Sequence, residues 1–247
     1  LFAIPLICGN LLQQMYNIAD TWVVGRFLGA EALAAVGSSY TLMVFLTSII
    51  IGLCMGSGAA ISMQYGSGDY DRMRQSVYMS FVLIGGISVV LNLLVYAGMD
   101  VLLFVLRVPE EIRPGMKEYL WIIFAGILAT FLYNYFSNLL RAIGNSVTPL
   151  VFLAVSAVLN VGLDLLCVLV LKWGIAGAAA ATVFSQYVSG IGILIYTWKK
   201  FPRLLPKREH MKWDKANLTN ILNLSVMTCI QQSIMNFGIL MVQGLVN

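Results

Sequence analysis

The chain has 247 residues, of which 60% are hydrophobic and only 11% are charged, with a formal net charge of +4. A soluble domain usually carries about a quarter charged residues, so this composition excludes a disordered chain and argues against a water-soluble globular enzyme. The small net charge, without interleaved exposed aromatic residues, gives no support for nucleic-acid binding. The mean hydropathy of +0.86 is instead typical of a protein embedded in lipid.

Seven apolar segments follow one another along the chain. A helix needs about 20 largely apolar residues to cross the hydrocarbon core, and lipid requires the backbone polar groups to be bonded internally. The sequence therefore predicts an all-α polytopic membrane protein with six spans and the start of a seventh. In chain order, spans 1 to 7 are predicted at residues 2–24, 33–63, 77–103, 115–140, 148–171, 175–198 and 218–247.

The connections between these spans predict the domain organisation. All are short except the basic segment 199–217. We predict a six-helix transmembrane lobe at 1–198, a basic inter-lobe loop at 199–217 and the truncated start of a second lobe at 218–247. Because Leu1 and Asn247 both lie inside apolar segments, we expect the chain to be a piece of a longer protein.

Lysine and arginine are enriched on the cytoplasmic side of membrane proteins. The spans place ten of the 15 basic residues on one side, namely Arg72, Arg74, Arg141, Lys199, Lys200, Arg203, Lys207, Arg208, Lys212 and Lys215. The other side holds Arg26, Arg107, Arg113, Lys117 and Lys172. We therefore predict a multi-pass protein of the plasma membrane, with the lipid bilayer as a partner and the basic loop in the cytoplasm.

The sequence offers no obvious catalytic or metal-binding constellation. The four cysteines lie singly in apolar segments, and His210 is the only histidine, so neither a zinc site nor a histidine-based triad can be assembled. Two membrane aspartates could form an intramembrane aspartyl protease, but the Gly-x-Gly-Asp pattern of such enzymes is absent before Asp164. We expect a protein that is not an enzyme and has no cofactor.

Two aspartates lie deep inside predicted spans, Asp20 in span 1 and Asp164 in span 5. An acidic residue at the centre of a membrane helix costs about 2.5–3.5 kcal/mol on insertion scales. Asp20 precedes Arg26 by six residues and Asp164 precedes Lys172 by eight, so both should sit roughly 9–12 Å below the outer surface. An aspartate side chain is too short to reach water from that depth, which points to a functional role.

Two neutral polar residues are predicted at the same depth. Asn160 lies one helical turn before Asp164, on the same face, and Thr182 follows the start of span 6 by a similar distance. Four oxygen-bearing side chains, Asp20, Asn160, Asp164 and Thr182, would then converge. Such a set suits a sodium ion, or two carboxylates that share a proton. Taken alone, Thr182 could equally be a helix-packing hydroxyl.

Two polar stripes at helical spacing extend the pattern. Polar residues on membrane helices usually face a bundle interior or a water-filled cavity, although hydrogen bonding between helices explains them equally well. We predict them as candidate substrate-cavity residues: Gln13, Tyr16 and Asn17 in span 1, and Thr130, Asn134 and Asn138 in span 4. Gly52, Gly56 and the small residues at 177–181 predict close helix packing.

Several longer stretches resemble one known family. They are NIADTWVVGR at 17–26, GAEALAAVG at 29–37, YGSGDYD at 65–71, RAIGNSVTP at 141–149 and NVGLD at 160–164. Together these stretches resemble the multidrug and toxic compound extrusion (MATE) transporters, in particular the prokaryotic DinF-like and MepA-like branches. The resemblance covers the whole chain, but only about half of the family's twelve helices.

The resemblance implies a fold, a function and a site. The fold would be the N-terminal six-helix lobe of a twelve-helix transporter, plus the start of its seventh helix. In DinF-like members an aspartate of helix 1, an asparagine and an aspartate of helix 5 and a threonine of helix 6 form the cation site. These roles would fall to Asp20, Asn160, Asp164 and Thr182, which could hold Na⁺.

The implied function is a cation-coupled antiporter, using Na⁺ or H⁺, that exports drug-like and often cationic organic compounds by alternating access. The C-terminal lobe of the full-length chain would be its structural partner. The alternative is a lipid-linked oligosaccharide flippase from a related transporter family. Such a flippase should line its cavity with several basic residues. Apart from Arg141 beside the cytoplasmic end of span 4, and Lys117 at its outer end, the predicted spans lack them.

Overall fold

The computed structural model describes residues 3–105 and 108–246. Phe2, the first residue of predicted span 1, lies outside the described residues. So do Arg107, which was predicted on the outer side, and Asn247, the last residue of predicted span 7. Within the described part the chain is helical and has no strand. The α-helices are α1 (Ala3–Phe27), α2 (Ala30–Gly66), α3 (Tyr70–Ala97), α4 (Met99–Val105), α5 (Arg113–Phe124), α6 (Ile127–Ala142), α7 (Val147–Leu165), α8 (Gly174–Lys200) and α9 (Lys215–Val246).

The described helices are those of a membrane protein. Four of them, α2, α3, α7 with the turn that follows it, and α8, are long and apolar enough to cross a bilayer, and α5 with α6 makes a fifth if that bent pair is one span. Helices α1 and α9 have 25 and 32 residues, but the polar residues along them lower their hydropathy. The predicted all-α membrane fold is therefore confirmed.

Three predicted spans are less regular than a single straight helix. Predicted span 3 is broken at Gly98 into α3 and the short α4. Predicted span 4 consists of α5 and α6, which are bent by 43° relative to each other. At the end of predicted span 5 the helix widens into a π-helical turn at Leu166–Val170. None of these breaks was predicted from the sequence.

Helix α2 lies at the centre of the bundle. It packs against α9, α6, α3, α5 and α1, while α8 packs against α6, α7 and α5. An aromatic cluster joins α3 to α6, with the ring of Phe81 5.4 Å from that of Phe131 and 5.3 Å from that of Tyr135. The buried Tyr135 hydroxyl also donates to the Val77 carbonyl at 2.7 Å. These core contacts hold α2, α3, α6 and α8 together.

Helices α2 and α9 touch almost backbone to backbone. A Cβ added at Gly52 would lie 2.5 Å from the Cα of Cys229, and one added at Gly56 would lie 2.3 Å from the Cα of Ser225. Only glycine fits such an approach, and small residues four apart are the usual means of close packing between membrane helices. Gly52 and Gly56 therefore bring α9 against α2.

A hydrogen-bond network fixes the first turn of α9. Asn217 is fully buried, and its Oδ1 accepts from Gln64 Nε2 at 2.9 Å. Its Nδ2 lies 2.9 Å from Ser76 Oγ, which links α9 to α3 as well. Segment 218–247 thus begins in firm contact with the six-helix part, while the division into two lobes stays a prediction.

The basic segment before α9 lies against the start of α3. His210 is buried, its Nε2 lies 3.1 Å from Asp71 Oδ1, and its Nδ1 accepts the Lys207 backbone N–H at 3.3 Å. Arg74 Nε donates to the Arg203 carbonyl at 2.9 Å. These contacts give the segment a defined course, with short 3₁₀ turns at Pro202–Leu204 and Arg208–His210.

Candidate functional site

Helix α1 has three distinct faces. An apolar face is exposed along its length and includes Leu11, Ile18 and Trp22. The opposite side packs on α7, α2 and α8 and carries Tyr16 and Asp20. Between them runs a polar face that is largely exposed in this chain, composed of Asn10, Gln13, Gln14, Asn17 and Thr21.

The packed side of α1 places Asp20 against Asp164 of α7. Their carboxyl groups lie close enough for one, when protonated, to donate a hydrogen bond to the other. Asp164 is completely buried. Two carboxylates in such proximity repel each other unless a proton or a cation lies between them.

Asn160 and Thr182 belong to the same cluster. Asn160 Nδ2 donates to Thr182 Oγ1 at 3.2 Å, and both residues are buried. The small residues at the start of α8 allow this approach, since a Cβ added at Gly177 would already lie 3.1 Å from the Cβ of Cys167. With its nitrogen turned towards Thr182, Asn160 leaves its Oδ1 free. The structure thus brings together Asp20, Asn160, Asp164 and Thr182, which we call the carboxylate cluster.

Two tyrosines complete the surroundings of the carboxylate cluster. Tyr16 reaches the Thr182 hydroxyl and lies near both aspartates. Tyr119, which α5 contributes, is buried and lies near Asp20, Tyr16 and Asp164. Tyr16 was grouped with Gln13 and Asn17 as a cavity residue, but the structure turns it towards the carboxylate cluster and leaves the other two on the neighbouring polar face.

Four oxygens in the carboxylate cluster have no hydrogen-bond donor. They are Asp20 Oδ1, Asn160 Oδ1 and both carboxylate oxygens of Asp164, all buried and without a partner among the described residues. Buried polar atoms are nearly always bonded, so each exception calls for a ligand or a functional explanation. An all-oxygen donor set of this kind suits a hard cation or a shared proton rather than a transition metal.

No group of three or more histidine, cysteine, aspartate or glutamate side chains that could bind a metal is found within residues 3–105 and 108–246. The carboxylate cluster differs from such a site because half of its members are neutral. Two carboxylates with an amide and a hydroxyl provide a weaker site. An exchangeable ion requires such moderate binding, because it has to leave again.

The polar stripe of α6 lies apart from the carboxylate cluster. Asn134 Nδ2 donates to the Thr130 carbonyl and Asn138 Nδ2 to the Asn134 carbonyl, each at 2.8 Å. Thr130 Oγ1 donates to Gln186 Oε1 of α8 at 3.4 Å. All three predicted residues are half-buried. Helix α6 packs mainly on α8, α2 and α3, so the stripes of α1 and α6 do not form one surface by direct contact.

Two residues of these sites, Tyr119 and Gln186, were not predicted from the sequence. Tyr119 stands at the outer end of predicted span 4, where an aromatic residue is read as a membrane-interface anchor. Gln186 lies on α8 four residues after Thr182 and three before Ser189, a helical spacing of polar residues that could have marked it. The only signal for Tyr119 was its position a few residues inside the outer end of span 4, close to the depth predicted for the two aspartates.

Comparisons with known proteins identify the family. The model of the MatE family matches residues 5–166. The probable multidrug resistance protein YpnP of Bacillus subtilis is 35% identical over the whole of this chain, which covers 55% of that protein. The probable multidrug resistance protein NorM of Thermotoga maritima is 28% identical, over 97% of this chain and 52% of its own length. The chain thus spans about half the length of the curated relatives it matches.

Solved structures share the fold. One is described as the outward-facing conformation of a multidrug resistance MATE family transporter of the MOP superfamily. It superposes with a TM-score of 0.88 at 24% identity, over 97% of this chain and 53% of that one. The predicted architecture, about half of a MATE-type transporter, is therefore confirmed. Together with the family match, this likeness shows that the chain is a multi-pass membrane protein that belongs to the MATE family.

Proposed function

We propose that this chain is the N-terminal half of a cation-coupled antiporter that exports drug-like, often cationic organic compounds across the plasma membrane. The coupling ion is Na⁺ or H⁺, and it binds at the carboxylate cluster. The observation that carries the proposal is the set of buried oxygens on Asp20, Asn160 and Asp164 that have no donor. The curated relatives are named as multidrug resistance and multidrug export proteins, which supports the proposal that the substrates are drug-like compounds.

Repulsion between the two aspartates provides the coupling. With a proton or Na⁺ between them, Asp20 is drawn to Asp164, and α1 stays packed on α7. When the ion leaves, two negative charges face each other in a dry environment, and the contact between α1 and α7 weakens. Helix α1 can respond because one of its faces is free of other helices. Ion binding therefore biases the position of α1, which is the differential interaction that alternating access requires.

The substrate would bind on the exposed polar face of α1 and the polar stripe of α6. Amide side chains that are exposed, as on Gln13, or half-buried, as on Asn17, Asn134 and Asn138, cannot border lipid without a large desolvation cost. We infer that they line a water-filled cavity, closed on its other side by the C-terminal lobe of the full-length protein. The division into lobe 1–198, loop 199–217 and second lobe from 218, and the cytoplasmic position of the loop, belong to the same proposal.

Transport by the full-length parent protein tests the proposal. Purified protein in proteoliposomes is given a fluorescent organic cation under an imposed Na⁺ or proton gradient, and Asp164→Asn is compared with the wild type. Transport should depend on one of the two gradients, and Asp164→Asn should abolish that dependence because it removes one charge from the pair.

Asp100→Asn is the matched control. Asp100 lies in the short α4, beyond the break at Gly98, where its carboxylate accepts a 2.6 Å hydrogen bond from Lys117. This variant should transport like the wild type. Transport that ignores both gradients, or gradient dependence that survives Asp164→Asn, would contradict the proposal and favour a flippase instead.

A further inference from the structure

An apolar groove runs along the outside of α3. Two adjacent rows of the helix line it from Val82 to Leu94, and the indole of Trp213 closes one end. The groove has a volume of about 540 Å³. Gly86 lies within it, and a Cβ added there would meet nothing within 4 Å. The groove is therefore open to its surroundings, on the lipid-facing side of a membrane helix.

The length of the groove matches a lipid chain. The twelve steps from Val82 to Leu94 rise by roughly 18 Å along a helix. One leaflet contributes about 15 Å of hydrocarbon, half of the bilayer core. A single acyl chain can thus lie along the groove from end to end.

The closed end of the groove is anchored by polar and aromatic contacts. The Trp213 ring lies 6.3 Å from the ring of Tyr78, at 65° to it. The carbonyl of the preceding Lys212 accepts a hydrogen bond from Gln75 Nε2 at 3.1 Å. Trp213 is half-exposed, and tryptophans in such positions mark the level of the lipid headgroups. The anchoring therefore places the segment that carries Trp213 at the mouth of the groove.

Charge is concentrated at this same end. Segment 199–215 contains seven basic residues against two acidic ones, Glu209 and Asp214. Lys212 and Lys215 flank Trp213 on either side, and neither forms an ion pair among the described residues. Basic clusters next to membrane helices are the usual partners of anionic lipid headgroups.

We propose that this groove binds an anionic phospholipid, with one acyl chain along α3 and the phosphate beside Lys212 and Lys215. The arrangement fits an amphiphile because the charge lies at one end only and the rest of the groove is apolar. A protein helix packed in the groove would instead need side chains along its whole length that fit the side chains of α3. Because this segment leads directly into α9, the bound lipid would hold the connection between the two halves against α3.

Native mass spectrometry of the full-length protein tests the proposal. Detergent-purified protein is titrated with phosphatidylglycerol and, separately, with phosphatidylcholine. We expect at least one phosphatidylglycerol to be retained about tenfold more strongly than phosphatidylcholine. Gly86→Trp, which fills the groove, and the double variant Lys212→Gln/Lys215→Gln should each remove this preference. Gly37→Trp is the control, because a Cβ at Gly37 also meets nothing within 4 Å but lies on α2.

A second readout locates the lipid independently of the groove variants. In vesicles of phosphatidylcholine with one-fifth brominated phosphatidylglycerol, bromine should quench the tryptophan emission, and Trp213→Phe should remove part of that quenching. The proposal is overturned if wild type retains both lipids equally, if the lysine variant keeps the preference, or if Trp213→Phe leaves the quenching unchanged. The last result is also expected if the second lobe covers the groove.

Discussion

At the scale of single residues, the decisive feature is a cluster of buried oxygens with too few donors. Thr182 Oγ1 accepts the hydrogen bond of Asn160. The Asn160 amide oxygen and both Asp164 oxygens are buried with no donor among the described residues. An isolated cluster of this kind is costly. A bound proton or Na⁺ removes the cost, which is why we assign the coupling ion to this position.

Thr182→Val tests the contribution of the neutral ligands. Valine has nearly the shape of threonine but no hydroxyl, so the packing of α8 is retained while one oxygen is lost. We expect the ion concentration for half-maximal transport to rise about tenfold, equivalent to about 1.4 kcal/mol. The measurement is substrate transport at increasing concentrations of the coupling ion.

Thr197→Val provides the control on the same helix. Thr197 is also buried, but its hydroxyl donates to the Ile193 carbonyl at 2.7 Å, far from the carboxylate cluster. Its ion dependence should match the wild type. Equal shifts in the two variants would mean that Thr182 acts only through helix packing.

Asn217→Ala tests the polar network at the start of α9. Removing this fully buried side chain deprives Gln64 and Ser76 of their partner. The expected destabilisation is about 1–3 kcal/mol. Thermal unfolding of the full-length protein in detergent should show a lower midpoint, whereas Asn220→Ala, at an exposed position of the same helix, should not. An unchanged midpoint in Asn217→Ala would show that the network contributes nothing to stability.

At the scale of elements, the contact between α2 and α9 depends on glycine. The Cα of Ser225 lies 2.3 Å, and the carbonyl oxygen of Leu224 2.5 Å, from where a Cβ of residue 56 would stand. Both are backbone atoms, so no side-chain rotation can make room. A side chain at this position must push the helices apart.

Gly56→Ala should therefore weaken the packing of α9. Overpacking of this kind typically costs about 1–3 kcal/mol. We expect less monodisperse full-length protein in fluorescence-detected size-exclusion chromatography, and a lower melting temperature. Gly37→Ala, where the added Cβ meets nothing, should behave like the wild type. A Gly56→Ala protein as stable as the Gly37→Ala protein would refute the close approach.

The sequence predicted elements better than their irregularities. Long charge-free segments leave few alternatives to membrane helices, and the helical spacing of Asn160 and Asp164 placed both on one face. The breaks at Gly98 and Gly126 were missed because a glycine inside an apolar run signals either packing or a bend. Tyr119 and Trp213 were missed for a related reason, since their roles depend on helices distant in the chain. The division of the α1 polar residues into two faces likewise depends on where α7 packs.

At the scale of the whole molecule, the chain presents two different outer surfaces. Apolar residues such as Leu11 and Trp22 of α1 and Leu93 of α3 are exposed, as expected where lipid surrounds a bundle. The polar face of α1 is exposed too, and lipid cannot cover it. In the proposed transporter a water-filled cavity and a second lobe cover this face, and the chain spans 55% of its relative YpnP.

Coupling through one site has a consequence that can be measured directly. If the ion and the substrate favour opposite states of the same transporter, a substrate gradient must drive ion movement just as an ion gradient drives substrate movement. The decisive experiment loads proteoliposomes of the full-length protein with organic cation, imposes no ion gradient, and records ²²Na⁺ and proton movement. The account predicts ion flux opposite to the substrate in wild type and none in Asp164→Asn. Substrate efflux without any counter-movement of Na⁺ or protons in wild type would contradict it.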